Sequence, residues 1–154
     1  MRKIIHLFLI LCYISPLIHA QDIIPLYKDS IPNARAKTET PDLTVYLPQG
    51  GQHTKTGILI IPGGGYGFVS SIKEGSEIAT YFASKGIAAF VLKYRLPDDS
   101  TMRDKKIGPI QDAQRALQII RMNAGKWGLD NNKIGVIGFS AGGHLASTLG
   151  THFN

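Results

Sequence analysis

Ser140 is the residue whose neighbours best suit nucleophilic chemistry. It lies at the centre of Gly138-Phe139-Ser140-Ala141-Gly142, a G-x-S-x-G pattern that follows an apolar run and opens a predicted helix. A serine on a sharp turn between strand and helix has strained backbone angles, and only glycine fits two residues to either side. Such a turn presents the hydroxyl to a carbonyl group. The pattern predicts a nucleophile, against the alternative of a glycine-rich turn that merely holds a serine.

A second glycine cluster, Pro62-Gly63-Gly64-Gly65-Tyr66, directly follows an earlier apolar run. Acyl transfer creates an oxyanion that backbone N–H groups stabilise, and glycines allow the oxygen to approach them. We expect one donor from Ala141 and another from this loop, at Gly64 or Gly65. No Gly-Lys-Ser/Thr follows the loop, which argues against phosphate binding. Tyr66 either borders a substrate pocket or packs in the core, and the residues leave both possibilities open.

Strands and helices are predicted to alternate around these two clusters. The predicted strands are 43–47, 57–61, 87–92 and 133–139, and the predicted helices are 74–85, 110–124 and 140–149. Residues 21–41 carry three prolines and are predicted to form an extended entry segment. The later strands are apolar throughout, which is typical of strands buried on both faces of a parallel sheet. This order predicts a mostly parallel sheet with helices on both faces.

These motifs resemble the α/β-hydrolase superfamily, in the branch of hormone-sensitive-lipase-like carboxylesterases and bacterial acetyl xylan esterases. The segments that carry the resemblance are IIPGGGYGFVS (60–70), KYRLP (93–97), QDAQRAL (111–117), WGLD (127–130) and IGVIGFSAGGHLAST (134–148). Many relatives have histidine where this chain has Pro62. The resemblance implies an α/β-hydrolase domain that hydrolyses a carboxylic ester without a cofactor, in particular an acetyl ester on a plant polysaccharide such as xylan.

The family's catalytic triad follows the order serine, acid, histidine along the chain. None of the fourteen residues after Ser140 is Asp or Glu. We therefore expect residues 21–154 to be the N-terminal part of the domain, truncated after the nucleophile helix, with the triad acid and base not in this chain. The alternatives are a serine peptidase of the same fold and an inactive truncated product.

Three other residues are of types found in a catalytic triad but are not expected to act as its acid or base. Asp112 precedes the nucleophile on a helix and is expected to form a salt bridge with Arg115 or Arg121. His144 lies one helical turn after the nucleophile, where packing and hydrogen bonding are the expected roles. His152 is too close in sequence to be presented by a separate loop as the base.

The first twenty residues have the layout of a secretory signal peptide. Arg2 and Lys3 give a basic start, residues 4–18 are almost entirely apolar, and Ala20 offers a small residue for cleavage. The apolar run is short for a membrane span, which needs about 20 residues. We expect residues 1–20 to be removed and the protein to be secreted or periplasmic, without stable membrane insertion. A retained N-terminal anchor is the alternative.

Charge and metal-ligand patterns point to no additional partner. The net charge is +6, but the only dense basic run, 103–106, contains an acid, which argues against nucleic-acid binding. The histidines are scattered and there is one cysteine, so no metal site is predicted. The expected partner is a small-molecule or polysaccharide ester.

Overall fold

The structure is a computed structural model that describes residues 21–35, 38–50 and 53–152. The predicted signal peptide, residues 1–20, lies outside the described residues. Within the described ranges, no helix has both the length and the hydropathy needed to cross a membrane.

Five strands form one mixed sheet. They are β1 (Ile23–Pro25), β2 (Asp42–Tyr46), β3 (Gly57–Ile61), β4 (Ala88–Lys93) and β5 (Ile134–Gly138). Their order across the sheet is β1-β2-β4-β3-β5. Strand β3 is parallel to both β4 and β5, with Leu59 opposite Phe90 on one side and Val136 on the other. The predicted parallel centre is confirmed, whereas β2 joins it antiparallel and the entry segment adds the antiparallel strand β1, which was not predicted.

Three α-helices connect or follow these strands. They are α1 (Glu77–Ser84), α2 (Gly108–Met122) and α3 (Ala141–Thr151). The helix predicted over 74–85 is a π-helical turn, Ile72–Ser76, followed by α1. Helix α2 begins two residues before the predicted start, at Gly108. Proline is accepted in the first turn because an N–H there has no acceptor within the helix, and the fixed φ of Pro109 suits a helix.

The helices cover both faces of the sheet, as predicted. Helix α1 lies on one face, where its Ala79 packs with Ile60, Ala89 and Val91. Helices α2 and α3 lie on the other face, where Ala116, Ile120 and Leu145 pack against Leu59, Phe90 and Leu92. Alternate residues of β3 and β4 thus point into two separate cores, which gives the central strands their apolar sequences.

The prediction that the run 133–139 is buried on both faces is wrong. In β5, Gly135 is exposed to solvent and Val136 is 37% exposed. The physical reason is the position of the strand, since β5 lies at the edge of the sheet and pairs only with β3 within the described part of the chain.

Candidate active site

Ser140 occupies a strained turn between β5 and α3. Its φ is +48° and its ψ is −117°, a backbone conformation that residues other than glycine rarely adopt. The residue is exposed to solvent. A Cβ atom at Gly142 would lie 2.0 Å from the carbonyl oxygen of Ile61, and one at Gly138 would lie 2.2 Å from that of Gly142. The predicted turn is therefore present, and close backbone contacts explain both flanking glycines.

This crowding gives a stability prediction. Gly142→Ala should lower the free energy of unfolding by about 1–3 kcal/mol, because the new methyl group has no room. The control is Gly150→Ala on the same helix, where a Cβ atom would meet nothing within 4 Å. That change should raise the free energy of unfolding by about 0.8–1 kcal/mol, since alanine is the better helix former. Urea unfolding measures both, and changes of the same sign would contradict the packing argument.

The glycine loop after β3 packs directly on this turn. A Cβ atom at Gly63 would lie 2.6 Å from the carbonyl oxygen of Phe139 and 3.0 Å from Cβ of Ser140. The N–H of Gly63 donates a hydrogen bond of 2.7 Å to Oε2 of Glu74, from the π-helical turn before α1. The structure thus brings together the two glycine clusters that the sequence singled out.

The predicted oxyanion donors have free N–H groups. Gly64 and Gly65 have φ angles of +128° and +62°, so the loop curls back and the Gly64 carbonyl accepts hydrogen bonds from Gly67 and Phe68. The N–H groups of Gly64, Gly65 and Ala141 donate to no acceptor among the described residues. Ala141 also begins α3, whose N-terminal dipole favours negative charge. These groups can therefore bind an oxyanion.

Two tyrosines and a histidine surround the loop. The hydroxyl of Tyr66 lies 2.8 Å from Nδ1 of His144, and the Tyr66 ring packs edge-on against Tyr94 with centroids 6.1 Å apart. The Tyr94 hydroxyl donates to the carbonyl oxygen of Pro62 at 3.0 Å. Burial raises the pKa of Tyr66, and burial together with the nearby Tyr66 and Glu74 raises the pKa of Tyr94 to about 12. Both phenols therefore keep their protons at neutral pH. The contact between Tyr66 and Nδ1 of His144 confirms the hydrogen-bonding role predicted for this histidine.

A cleft of about 420 Å³ begins at this tyrosine–histidine pair. Its walls include Tyr66 and His144, the lysines at 105 and 106, and Ile110 and Thr148 from α2 and α3. Tyr66 packs against the core and also lines this cleft, so the predicted packing is confirmed and the role at a substrate pocket stays a prediction. The cleft begins one turn of α3 beyond Ser140.

Asp112 lies in a buried ion pair with Arg95. Its carboxylate accepts hydrogen bonds from the backbone N–H of Arg95 at 2.9 Å, from Nε at 2.9 Å and from Nη2 at 2.7 Å. The hydroxyl of Tyr27 donates a further bond at 3.1 Å. The side chains of Arg95 and Asp112 are 1% and 0% exposed. Both carboxylate oxygens are occupied, which confirms a salt bridge.

The partners predicted for Asp112 were wrong. Arg115 donates its Nε–H to the carbonyl oxygen of Leu26 at 3.0 Å, and Arg121 is exposed. Asp112 belongs to the buried face of α2, while Arg121 is nine residues away and therefore about half a turn around the helix. The carboxylate of Asp112 instead pairs with the guanidinium of Arg95, which follows the end of β4.

Sequence reasoning missed Glu74 and the pair Tyr94-Arg95. The two residues of the pair directly follow β4, at the carboxyl edge of the parallel strands. Binding sites in such sheets form at this edge, so their position in the sequence could have indicated a place near the site. Glu74 has no such signal, since its contact with Gly63 spans eleven positions. His152 lies at the end of α3 and hydrogen-bonds Thr151. The described residues contain no group of three or more His, Cys, Asp or Glu side chains that could hold a metal ion.

Comparison with known proteins identifies similar chains. The BD-FAE family model matches residues 43–154. The chain is 40% identical over 94 residues to an acetylxylan esterase of Xylanibacter ruminicola, a match that covers 61% of this chain and 18% of that protein. It is also 40% identical over 97 residues to endo-1,4-beta-xylanase B of Butyrivibrio fibrisolvens, covering 63% of this chain and 15% of that one.

Solved structures match over a larger share of the chain. The acetyl ester-xyloside bifunctional hydrolase from Caldicellulosiruptor lactoaceticus superposes with a TM-score of 0.77 and 38% identity, covering 91% of this chain and 50% of that one. Thermogutta terrifontis esterase 2 phosphorylated by paraoxon gives a TM-score of 0.62 and 28% identity, covering 77% and 48%. MGS-M1, an alpha/beta hydrolase enzyme from a Medee basin deep-sea metagenome library, gives a TM-score of 0.65 and 34% identity, covering 84% and 50%. These neighbours confirm the α/β-hydrolase fold. The chain spans about half the length of these structures and less than a fifth of the curated relatives.

Proposed function

This chain belongs to the BD-FAE family, and from that premise we propose that it carries the nucleophile of a serine carboxylic ester hydrolase acting on an acetylated plant polysaccharide such as xylan. The observation that carries the proposal is the elbow at Ser140. An exposed serine is held at φ +48°, beside a glycine loop with free N–H groups. A structural turn would need neither feature.

The proposed reaction proceeds through an acyl-enzyme. Oγ of Ser140 attacks the ester carbonyl carbon while a histidine accepts its proton, and the C=O electron pair moves onto the oxygen. The N–H groups of Gly64 or Gly65 and of Ala141 donate to that oxyanion. The oxyanion then re-forms the C=O bond, the bond between the acyl carbon and the sugar oxygen breaks, and the same histidine gives the proton to that sugar oxygen. Water then attacks the acyl-enzyme in the same manner, releasing acetate and restoring the serine.

The histidine and its carboxylate partner come, in this proposal, from residues that follow position 154 in the full-length protein. Asp112 cannot serve as the acid because both of its oxygens are bound to Arg95 and Tyr27. His144 is bound to Tyr66 and lies on the same helix as the nucleophile. A base must instead approach the hydroxyl from a separate element.

The substrate and the location are proposed together. Three similar proteins are named an acetylxylan esterase, an endo-1,4-beta-xylanase and an acetyl ester-xyloside bifunctional hydrolase, and these names support a xylan-derived ester. Such a polymer lies outside the cell, and the apolar N-terminal run supports secretion or a periplasmic location. No cofactor takes part, since acyl transfer to water needs none.

The test compares the full-length protein with residues 1–154 alone. The full-length protein should hydrolyse p-nitrophenyl acetate and release acetate from acetylated xylan. The shorter chain, without acid and base, should be slower by about 10⁴-fold or more, since the triad residues act as a unit. Spectrophotometry and acetate quantification measure the two reactions.

Two results would count against this proposal. Hydrolysis by residues 1–154 that Ser140→Ala abolishes would place a complete triad within the chain. Cleavage of peptide substrates by the full-length protein, without acetate release, would favour the peptidase of the same fold instead.

A further inference from the structure

The contact between Tyr66 and His144 joins the two halves of the candidate site. Tyr66 ends the triple-glycine segment after β3, whereas His144 lies in the first turn of α3, immediately beyond the nucleophile elbow. Their hydrogen bond of 2.8 Å spans 78 positions of sequence, and their rings meet edge to face at 6.0 Å and 88°. The bond therefore links the loop with the proposed oxyanion donors to the helix that starts at the nucleophile.

Two further contacts tie down the other end of the same loop. The carboxylate of Glu74 accepts from the N–H of Gly63 at 2.7 Å, and the hydroxyl of Tyr94 donates to the carbonyl oxygen of Pro62 at 3.0 Å. Gly64 and Gly65 lie between these ties and Tyr66. Within the described residues, the Tyr66–His144 bond is thus the side-chain hydrogen bond that holds the C-terminal end of the segment 62–66.

Tyr66 needs this support because its own backbone is strained. Its φ is +59°, a conformation uncommon for residues other than glycine and maintained only when the surroundings hold it. The preceding residue, Gly65, also has a positive φ and no neighbour within 4 Å of where a Cβ would lie. The hydrogen bonds from Gly67 and Phe68 to the Gly64 carbonyl close this turn, and the Tyr66–His144 bond fixes the closed turn relative to α3.

We propose that Tyr66 and His144 form a positioning pair that sets the N–H groups of Gly64 and Gly65 relative to Ser140. Neither side chain reacts. This inference rests on the proposed ester hydrolysis and assigns to that site two residues whose hydroxyl and imidazole groups the reaction itself does not use. Burial raises the pKa of the Tyr66 phenol, so its hydroxyl keeps its proton and can donate a hydrogen bond to Nδ1 of His144.

The test uses conservative variants of the full-length protein. Tyr66→Phe removes only the hydroxyl group, and it should lower kcat on p-nitrophenyl acetate by about tenfold or more while KM changes less than about twofold, because the oxyanion exists only in the transition state. His144→Leu should have the same effect, and the double variant should be no slower than either single variant. His144→Gln keeps an acceptor that the Tyr66 hydroxyl can reach, and it should recover most of kcat.

Tyr81→Phe is the matched control. Tyr81 is an exposed tyrosine on α1, on the opposite face of the sheet, and its loss of a hydroxyl should leave both kinetic constants unchanged. Affinity for a boronic acid that mimics the tetrahedral intermediate gives a second readout, and it should fall in parallel with kcat in Tyr66→Phe.

The inference fails if Tyr66→Phe retains kcat and boronate affinity, or if the effects of Tyr66→Phe and His144→Leu multiply in the double variant. It also fails if His144→Gln is as slow as His144→Leu. All of these results would leave the proposed hydrolysis intact. Hydrolysis that persists in Ser140→Ala would overturn the proposed function instead.

Discussion

Ser140→Ala will lower kcat of the full-length protein on p-nitrophenyl acetate by at least about 10⁴-fold, because removal of the nucleophile leaves only binding and oxyanion stabilisation. Far-UV circular dichroism should be unchanged, since the strained backbone tolerates a β-carbon at this position. Paraoxon gives a second measurement of the same residue. It should add one phosphoryl group to the native protein at Ser140, detected by peptide mass spectrometry, and none to the variant.

The control for this prediction is Ser147→Ala. Ser147 is an exposed serine on α3, two turns beyond Ser140, and its replacement should leave kcat within about twofold because surface substitutions away from a site have small effects. Equal activity of Ser140→Ala and the native protein would contradict the nucleophile assignment. Labelling of a serine other than Ser140 by paraoxon would do so too.

Asp112→Asn will lower the free energy of unfolding of the full-length protein by about 3–5 kcal/mol, because it leaves the guanidinium of Arg95 buried without a counter-charge. The side chain of Arg95 is 1% exposed, and it also donates to the carbonyl oxygen of Pro32, so it cannot turn toward water without breaking the entry segment's contact with the core. Urea unfolding followed by fluorescence gives the free energy. The loss of a charge rather than of volume causes the effect, since asparagine and aspartate have nearly the same size.

Asp99→Asn is the matched control for the buried pair. It also removes a carboxylate from a salt bridge, with Lys105, but those side chains are 73% and 48% exposed. Its effect should be below about 1 kcal/mol, as for other surface pairs. The double variant Arg95→Met/Asp112→Leu should recover much of the loss, because it removes both buried charges. Equal effects of Asp112→Asn and Asp99→Asn would contradict the assigned burial of the pair.

Local sequence signals were sufficient for the order of the elements from β2 to α3 and for the elbow. Buried strands need apolar side chains on both faces, so the runs that became β3 and β4 were identifiable from composition alone. The elbow was identifiable for a similar reason. The carbonyl oxygen of Ile61 excludes a Cβ atom at Gly142, and that of Gly142 excludes one at Gly138. The turn therefore requires two glycines at a fixed spacing, and this spacing is visible in the sequence.

Features that depend on distant residues were decided only by the tertiary structure. The partner of Asp112 is one example, because a helix pattern identifies neighbours three or four positions away, whereas Arg95 arrives from another strand. The exposure of Val136 is another, since an apolar strand has the same sequence pattern at the centre of a sheet and at its edge.

The ties on the glycine loop belong to the same class. Glu74 and His144 reach the loop across 11 and 78 positions, and nothing in the spacing of either residue indicates its contact. The geometry of the elbow is therefore determined by the local sequence, through residue types that the backbone requires. The positions of the groups around it depend on packing between elements, because each contact needs two segments to be brought together by the fold.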